Sequence, residues 1–483
     1  MTYNKYLLFA LLLLPAPAAL GAREITSFGG DTLSFGSGNV PAPSSYGAAP
    51  EIQLQAGSVM PRRKYTVMLY MNGKNNLGTY MARKLVQLEK VGSDANINIV
   101  EELGLVQPKP ACSTCAAANM YGASWSGTRR FYVRRNSDAA AVKIGSSLLI
   151  PSDENSDMGD AKNLAAFITW AKTNFPAEKY IVVVGNHGGA WVDRQKKPKE
   201  NSEKGVSYDD VTGNYITTPE IGAALREAGG ADVLIFDDCL MQAAEVASEV
   251  RGAAKFILGS EEISYTNHFR PDLLFAPLKA NPYMEPAAFV DMFMKTYTAY
   301  NTERWNATKK CPGTMSLIDT SKIPGLEAAV KKYAAAALAV QGAEARKAFR
   351  QAMQAVLRYH YEYCADLYDF VENAQLKMKA AIAGGGIAES QQTRDLDAAA
   401  EELKSYVSGR LVLKNFTFGN AGPKVYAKSH GVSVYIPGIK IPADAAAAPT
   451  FVVASSTLAT KYTDMQFDKA TGWSLFVKYL TGK

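Results

Sequence analysis

Two stretches of the sequence decide the fold: YIVVVGNHGG at residues 180–189 and DVLIFDDCLM at residues 232–241. Each begins with a continuous apolar run, which is typical of a strand buried on both faces of a parallel sheet. A third such run lies at residues 254–258, and helical patterns over residues 219–228 and 240–250 separate the runs. Strands that alternate with helices predict an open, mostly parallel α/β sheet flanked by helices.

Weaker signals extend this pattern along the chain in both directions. β-rich runs at residues 65–71, 96–100 and 314–319 predict further strands. Apolar residues at helical spacing after Leu77 and over residues 158–175 predict helices between them. The sheet is therefore expected to use much of the first two-thirds of the chain.

Changes in composition divide the chain into five predicted parts. They are a signal peptide at residues 1–22, a flexible Gly/Ser/Pro-rich extension at 23–60, an α/β core at 61–320, an Ala-rich helical region at 321–410, and a β-containing segment at 411–483 that packs on the core. The last part includes a short β-rich run at residues 432–437.

The N-terminus has the pattern of an export signal. Lys5 precedes an apolar run at residues 6–14, and small residues at 15–22 supply a cleavage site. The run is too short to span a bilayer, although an uncleaved anchor is the alternative interpretation. We therefore predict a secreted or periplasmic protein of bacterial type, with no stable membrane insertion after the signal is removed.

Charge and cysteine content exclude some classes of protein. The chain of 483 residues has 52 Lys and Arg against 46 Asp and Glu, a mild excess of +6. No dense basic stripe interleaved with aromatic residues occurs, so nucleic acid is not an expected partner. Five cysteines in this length exclude a fold built on disulfides.

The two deciding runs end in chemically reactive residues. His187 follows the first run and Cys239 follows the second. Parallel strands end at one edge of a sheet, so an imidazole and a thiol there could work together as base and nucleophile. The backbone amides of Gly188 and Gly189, with that of Cys239 as a second donor, could bind the oxyanion of the intermediate; Gly188 and Cys239 are the predicted pair. Cys239 also begins a predicted helix, whose N-terminal dipole would favour the thiolate.

Each of these residues also has a structural interpretation. A histidine before two glycines can be a turn residue, and a cysteine at a strand end can be a small buried apolar residue. Their occurrence at the ends of two such runs favours Cys-His chemistry. Cys112 and Cys115 form a C-x-x-C motif whose matching half for a zinc site is absent, so a local disulfide is predicted there and no metal site. A thiol oxidoreductase that uses this pair is a second hypothesis.

Several motifs together resemble the clostripain family of cysteine peptidases, which shares the caspase-like fold with caspases, gingipains and legumain. The motifs are YTVMLYMNG at residues 65–73, NHGG at 186–189, SYDD at 207–210, DDCLM at 237–241 with Glu245 and Val246 after it, GSEE at 259–262 and GVSVYIP at 431–437. The resemblance covers about Lys64 to Pro437.

The resemblance implies roles for four residues. Cys239 would be the nucleophile and His187 the general acid and base. The family cleaves after Arg or Lys, and an acidic residue two positions before the cysteine lines its pocket, which here is Asp237. Alternate strand residues share a face, so Asp237 and Cys239 are expected to face the substrate together, while Asp238 is predicted to cap a helix. Asp272 could be a second pocket acid, although Arg270 nearby would oppose a cationic substrate.

Two further properties follow from the resemblance. Family members are commonly activated by cutting themselves in an exposed loop, and residues 193–204 form a polar, charged segment of this kind. Its candidate cleavage sites are Arg194, Lys196, Lys197, Lys199 and Lys204. Some members need calcium, and residues 153–157 are acidic, but their spacing fits no EF-hand, so a calcium requirement is left open.

The sequence thus predicts a secreted cysteine endopeptidase that cleaves peptides or proteins after exposed Arg or Lys residues. The alternative is a non-catalytic caspase-like module that only binds basic peptides.

Overall fold

A computed structural model describes most of the chain from Met60 onward. It describes residues 60–106, 121, 125–138, 140–145, 147–153 (backbone only), 155–192, 205–440, 449–453 and 461–482. These residues belong to one structural unit. The predicted signal peptide, the extension up to residue 59, Cys112 and Cys115, and the loop at residues 193–204 lie outside the described residues.

The described residues form fifteen strands and twelve helices. The strands are β1 Arg63–Gly73, β2 Ile97–Leu105, β3 Gly127–Tyr132, β4 Ser147–Asp153, β5 Ala177–Gly185, β6 Val206–Asp209, β7 Asn214–Ile216, β8 Ala231–Asp237, β9 Ala254–Gly259, β10 Gly313–Asp319, β11 Cys364–Asp366, β12 Val412–Phe418, β13 Ser433–Tyr435, β14 Gly438–Lys440 and β15 Thr450–Val452. The helices are α1 Gly78–Leu88, α2 Ala161–Asn174, α3 Thr218–Glu227, α4 Ala244–Val250, α5 Pro271–Ala280, α6 Pro286–Thr308, α7 Ile323–Ala339, α8 Ala343–Ala355, α9 Leu367–Ala383, α10 Gln391–Tyr406, α11 Gln466–Thr471 and α12 Trp473–Thr481.

Nine of these strands form one sheet in the order β12-β10-β9-β8-β5-β1-β2-β3-β4. The five central strands, from β9 to β2, are parallel. The strands at both edges are antiparallel. The predicted open, mostly parallel α/β sheet is therefore confirmed, and the C-terminal region contributes β12 to one of its edges.

The apolar runs are continuous because both faces of the sheet are covered. In β5, Val182 and Val184 belong to one apolar cluster, whereas Ile181 and Val183 belong to another. Helices α2, α3, α4 and α7 contribute to the first cluster, and α1, α5 and α6 contribute to the second. Successive side chains of a strand point to opposite faces, so each face needs its own apolar cover. No helix in the described part of the chain is long and apolar enough to cross a membrane.

The segment after β8 differs from its prediction. A helix was expected from residue 240, but α4 begins at Ala244. The amide of Leu240 donates to the carbonyl of Glu262, and that of Gln242 donates to Ser260, so these amides bind a neighbouring segment rather than a helical turn. Leu240 also has a φ of 64°, in the left-handed region that disfavours a right-handed helix.

Candidate active site

The two reactive residues lie at one edge of the sheet, on neighbouring strands. Strands β5 and β8 pair in parallel, with Gly185 opposite Asp237. His187 and Cys239 each follow two residues later, and both are half-buried. A side chain on Gly188 would collide with the carbonyl oxygen of Cys239, so the two segments are in direct backbone contact. The register thus brings the predicted pair to the same edge.

A third strand end positions the imidazole. Nε2 of His187 lies 2.7 Å from Oδ1 of Asn76, in the turn that follows β1, the other neighbour of β5. An amide oxygen only accepts hydrogen bonds, so Nε2 carries the proton in the neutral ring and Nδ1 is the acceptor. A base needs this unprotonated nitrogen. No motif in the sequence singles out Asn76, although it follows the predicted strand at residues 65–71 and lies in a cluster of turn-forming residues at 72–76.

The backbone around the glycine pair suits an oxyanion. Gly188 pairs with Val206, and the amide of Gly189 donates to the carbonyl of Gly205 at 2.9 Å. In this antiparallel geometry the amide of Gly188 itself points away from Val206. The amide of Gly189 is thus already used, whereas the amide of Gly188 is directed away from the paired segment.

The sulfur of Cys239 is held by a loop rather than by a helix. Cys239 lies in a bend five residues before α4, so the predicted effect of a helix dipole is wrong. Instead, the amide of Ser264 lies 3.3 Å from Sγ, and Sγ lies 3.8 Å from the Ser264 carbonyl oxygen. The carbonyl accepts from the thiol and the amide donates to the thiolate, so the same residue can serve both states of the sulfur.

The two predicted pocket acids each have a cation of their own. The carboxylate of Asp237 forms an ion pair with the ammonium of Lys84 on α1, and both side chains are 2% exposed. Asp272 binds the guanidinium of Arg270 through two hydrogen bonds, of 2.9 and 2.7 Å. Burial raises the pKa of Asp237 while Lys84 opposes the rise. The carboxylate of Asp237 is therefore already bound by a cation of this chain, and its role as a pocket acid stays a prediction.

Comparisons with known proteins now identify the family. The model of the Peptidase C11 or clostripain family matches residues 69–394, more than half of the chain. The chain belongs to the clostripain family. Clostripain from Hathewaya histolytica is 27% identical over an aligned length of 235 residues. The match covers 45% of this chain and 43% of that protein. The match thus spans less than half the length of this curated relative.

Two solved structures share the fold of this clostripain-family chain. A secreted C11 cysteine protease from Bacteroides thetaiotaomicron, in complex with an irreversible peptide inhibitor, is 17% identical with a TM-score of 0.57, over 85% of this chain and 99% of that one. An inactive zymogen of a C11 protease from Parabacteroides distasonis is 18% identical with a TM-score of 0.55, over 86% and 99%. At these identities the likeness concerns the fold.

Asp238 does not cap a helix in this clostripain-family structure. The N-cap of α4 is Ala243, which makes no side-chain cap. The Asp238 carboxyl group is buried, and neither oxygen makes a well-formed hydrogen bond, although the Asn186 amide lies close enough to favour its charged form. Burial and the neighbouring Asp237 raise its pKa well above the usual range. The prediction of an N-cap is wrong, and we expect a neutral carboxyl group at this position.

A second histidine, four residues after the Ser264 that contacts Sγ, is unsuited to act as a base. His268 is fully buried, and its Nε2 lies 3.0 Å from the carbonyl oxygen of Cys311. Burial, together with Arg304, lowers its pKa to about 3. An imidazole with so low a pKa is a poor proton acceptor at neutral pH. His187 is thus the better candidate for the base.

Nothing in the described residues tests the calcium requirement. No group of three or more metal-binding side chains converges there. Within the acidic segment, the carboxylate of Asp157 accepts hydrogen bonds from Gly159, Thr212 and Asn214, which stabilise a turn. Calcium therefore stays a prediction.

Proposed function

We propose that the chain is a cysteine endopeptidase that uses Cys239 as nucleophile and His187 as general acid and base. The observation that carries this proposal is the parallel register of β5 and β8. Their last residues, Gly185 and Asp237, lie opposite each other, and His187 and Cys239 each follow two residues later. Membership of the clostripain family supports the same assignment.

In the proposed mechanism, His187 accepts the thiol proton as the sulfur attacks the carbonyl carbon of the scissile bond. The carbonyl oxygen becomes an oxyanion, which the amides of Gly188 and Cys239 stabilise. His187 then donates the proton to the leaving amine, and an acyl-enzyme thioester remains. Water attacks the carbonyl carbon of this thioester as His187 accepts its proton; the C–S bond then breaks, the carboxylic acid leaves, and His187 returns the proton to Sγ of Cys239. Asn76 keeps Nδ1 of His187 unprotonated in the resting state.

The proposed cleavage site follows an Arg or Lys residue, with Asp237 as the acid that attracts the basic side chain. Asp237 is the last residue of β8 and lies two residues before Cys239, within the reach of an extended basic side chain from the scissile bond. We further propose export from the cell, because the N-terminal pattern predicts it and one structural relative is described as secreted.

A cleavage profile on a peptide library tests this function. We expect cleavage after Arg or Lys residues, and the same profile after treatment with a chelator would argue against a calcium requirement. Citrulline, the uncharged isostere of Arg, serves as the matched control at the position before the scissile bond. Tight binding of basic peptides without any cleavage would contradict the proposal and favour the non-catalytic binding module.

We also propose that the chain cuts itself between Val192 and Gly205, where the candidate sites Arg194, Lys196, Lys197, Lys199 and Lys204 lie. The amide of Gly205 donates to the carbonyl of Val192 at 3.1 Å, so the two ends of this segment are held together without its peptide bonds. A structural relative is described as an inactive zymogen.

N-terminal sequencing of purified wild type and of Cys239→Ala tests self-cleavage. We expect two N-termini for wild type, one of them within residues 195–205, and a single one for Cys239→Ala. Adding a trace of active wild type to Cys239→Ala distinguishes cutting between molecules from cutting within one. Intact chains in both preparations would contradict self-cleavage but leave the peptidase proposal standing.

A further inference from the structure

The Lys84–Asp237 ion pair lies next to the proposed nucleophile. Lys84 is on α1 and Asp237 ends β8, so 153 residues separate the partners. The Lys84 ammonium also lies 5.6 Å from the centre of the Phe269 ring. Both side chains are 2% exposed, so water hardly screens their attraction. The Lys84 ammonium thus binds the Asp237 carboxylate, the group that a basic side chain of the substrate would need.

Two further acids, Asp272 and Glu262, also have cationic partners. Asp272 is paired with Arg270. The backbone carbonyl of Glu262 accepts a hydrogen bond from the segment after Cys239. The carboxylate of Glu262 forms an ion pair with Lys424 and accepts a hydrogen bond from the hydroxyl of Tyr426. None of these carboxylates therefore offers an uncompensated negative charge to a cation entering beside Cys239.

We infer that Lys84 sets the charge preference of the peptidase, acting as a built-in competitor for the Asp237 carboxylate. This inference rests on the proposed function. A substrate Arg or Lys has to displace the Lys84 ammonium from Asp237 before it gains its own ion pair. The preference of the wild type for a basic residue over an uncharged isostere is therefore weaker than an unpaired Asp237 would give. Removal of the Lys84 charge exposes the carboxylate and strengthens that preference.

The test compares two reporter peptides that differ only in Arg or citrulline before the scissile bond. The measured quantity is the ratio of kcat/KM for the two reporters. We expect Lys84→Met to raise this ratio at least about tenfold over wild type, because a hydrogen bond to a charged group adds that much or more. Lys84→Arg is the matched control, since it keeps the cation, and its ratio should stay near that of wild type. An unchanged ratio in folded Lys84→Met would overturn the inference.

A second variant covers the case in which Lys84→Met does not fold, because that change leaves Asp237 buried without a partner. Lys84→Met/Asp237→Asn removes both charges and leaves a nearly isosteric neutral pair. We expect its Arg-to-citrulline ratio to fall to about 1, since neither charge remains to distinguish the reporters. A double variant that retains the wild-type ratio would show that the pair has no part in specificity.

These outcomes separate the inference from the function on which it rests. A wild type that cleaves the reporters, with a ratio insensitive to Lys84, removes only the role of Lys84. A folded wild type that cleaves neither reporter nor any library peptide overturns both proposals.

Discussion

Replacing Cys239 with Ala is expected to lower kcat for peptide cleavage by roughly 10⁴-fold or more, because no other group supplies the nucleophile. The side chain is half-buried at the edge of the sheet, and its loss removes only a sulfur atom. The fold should therefore remain intact. The measurement is turnover of a fluorogenic peptide, together with thermal unfolding of the same preparation.

Cys364→Ala is the matched control for this variant. Cys364 is a buried free cysteine on β11, and burial raises the pKa of its thiol, which keeps it protonated and unreactive. We expect this variant to retain wild-type turnover with at most a modest loss of stability. Iodoacetamide should modify wild type at Cys239 and abolish activity. Undiminished turnover in folded Cys239→Ala would remove this residue from the mechanism.

His187→Ala is expected to lower kcat by about 10²- to 10⁴-fold, the usual contribution of a general acid and base. The loss should shrink as the pH rises toward the range in which the thiol ionises without help, so the pH profile reports the role of the imidazole. The measurement is kcat against pH for wild type and variant. His360→Ala, in the loop between α8 and β11, is the control and should behave as wild type.

Asn76→Ala separates orientation of the ring from its chemistry. The variant loses the 2.7 Å contact to Nε2 but keeps the imidazole, so we expect a smaller fall in kcat, about tenfold, the value of one hydrogen bond. Asn76→Asp keeps an acceptor oxygen and should restore the orientation, with a pH profile displaced by the added charge. A loss in Asn76→Ala as large as in His187→Ala would contradict a purely positioning role.

Much of this site follows from local sequence patterns. The apolar runs before His187 and Cys239 predict buried parallel strands, and such strands end at one edge of a sheet. Both deductions depend only on residues that are adjacent in the chain. The prediction of a helix at Cys239 fails for the opposite reason, because the amides of Leu240 and Gln242 bind a segment about twenty residues away in sequence.

The partners of the site residues could not be predicted in the same way. Lys84 lies in an amphipathic helix pattern, where a lysine is expected on the solvated face, yet it is buried against Asp237. Asn76 lies in a turn cluster that would look the same without His187 nearby. Each contact joins residues more than 100 positions apart, 153 and 111 respectively, so no local pattern records it. Tertiary packing alone decides these pairings.

The hydrogen bond between Val192 and Gly205 has a consequence for a chain cut inside that segment. His187 would then belong to one polypeptide and Cys239 to the other, joined by the pairing of β5 with β8 and by both apolar clusters, to which each piece contributes. Such a heterodimer should survive gel filtration but separate under denaturant. Its recovery of activity after dilution would depend on protein concentration, unlike the first-order refolding of an uncut precursor.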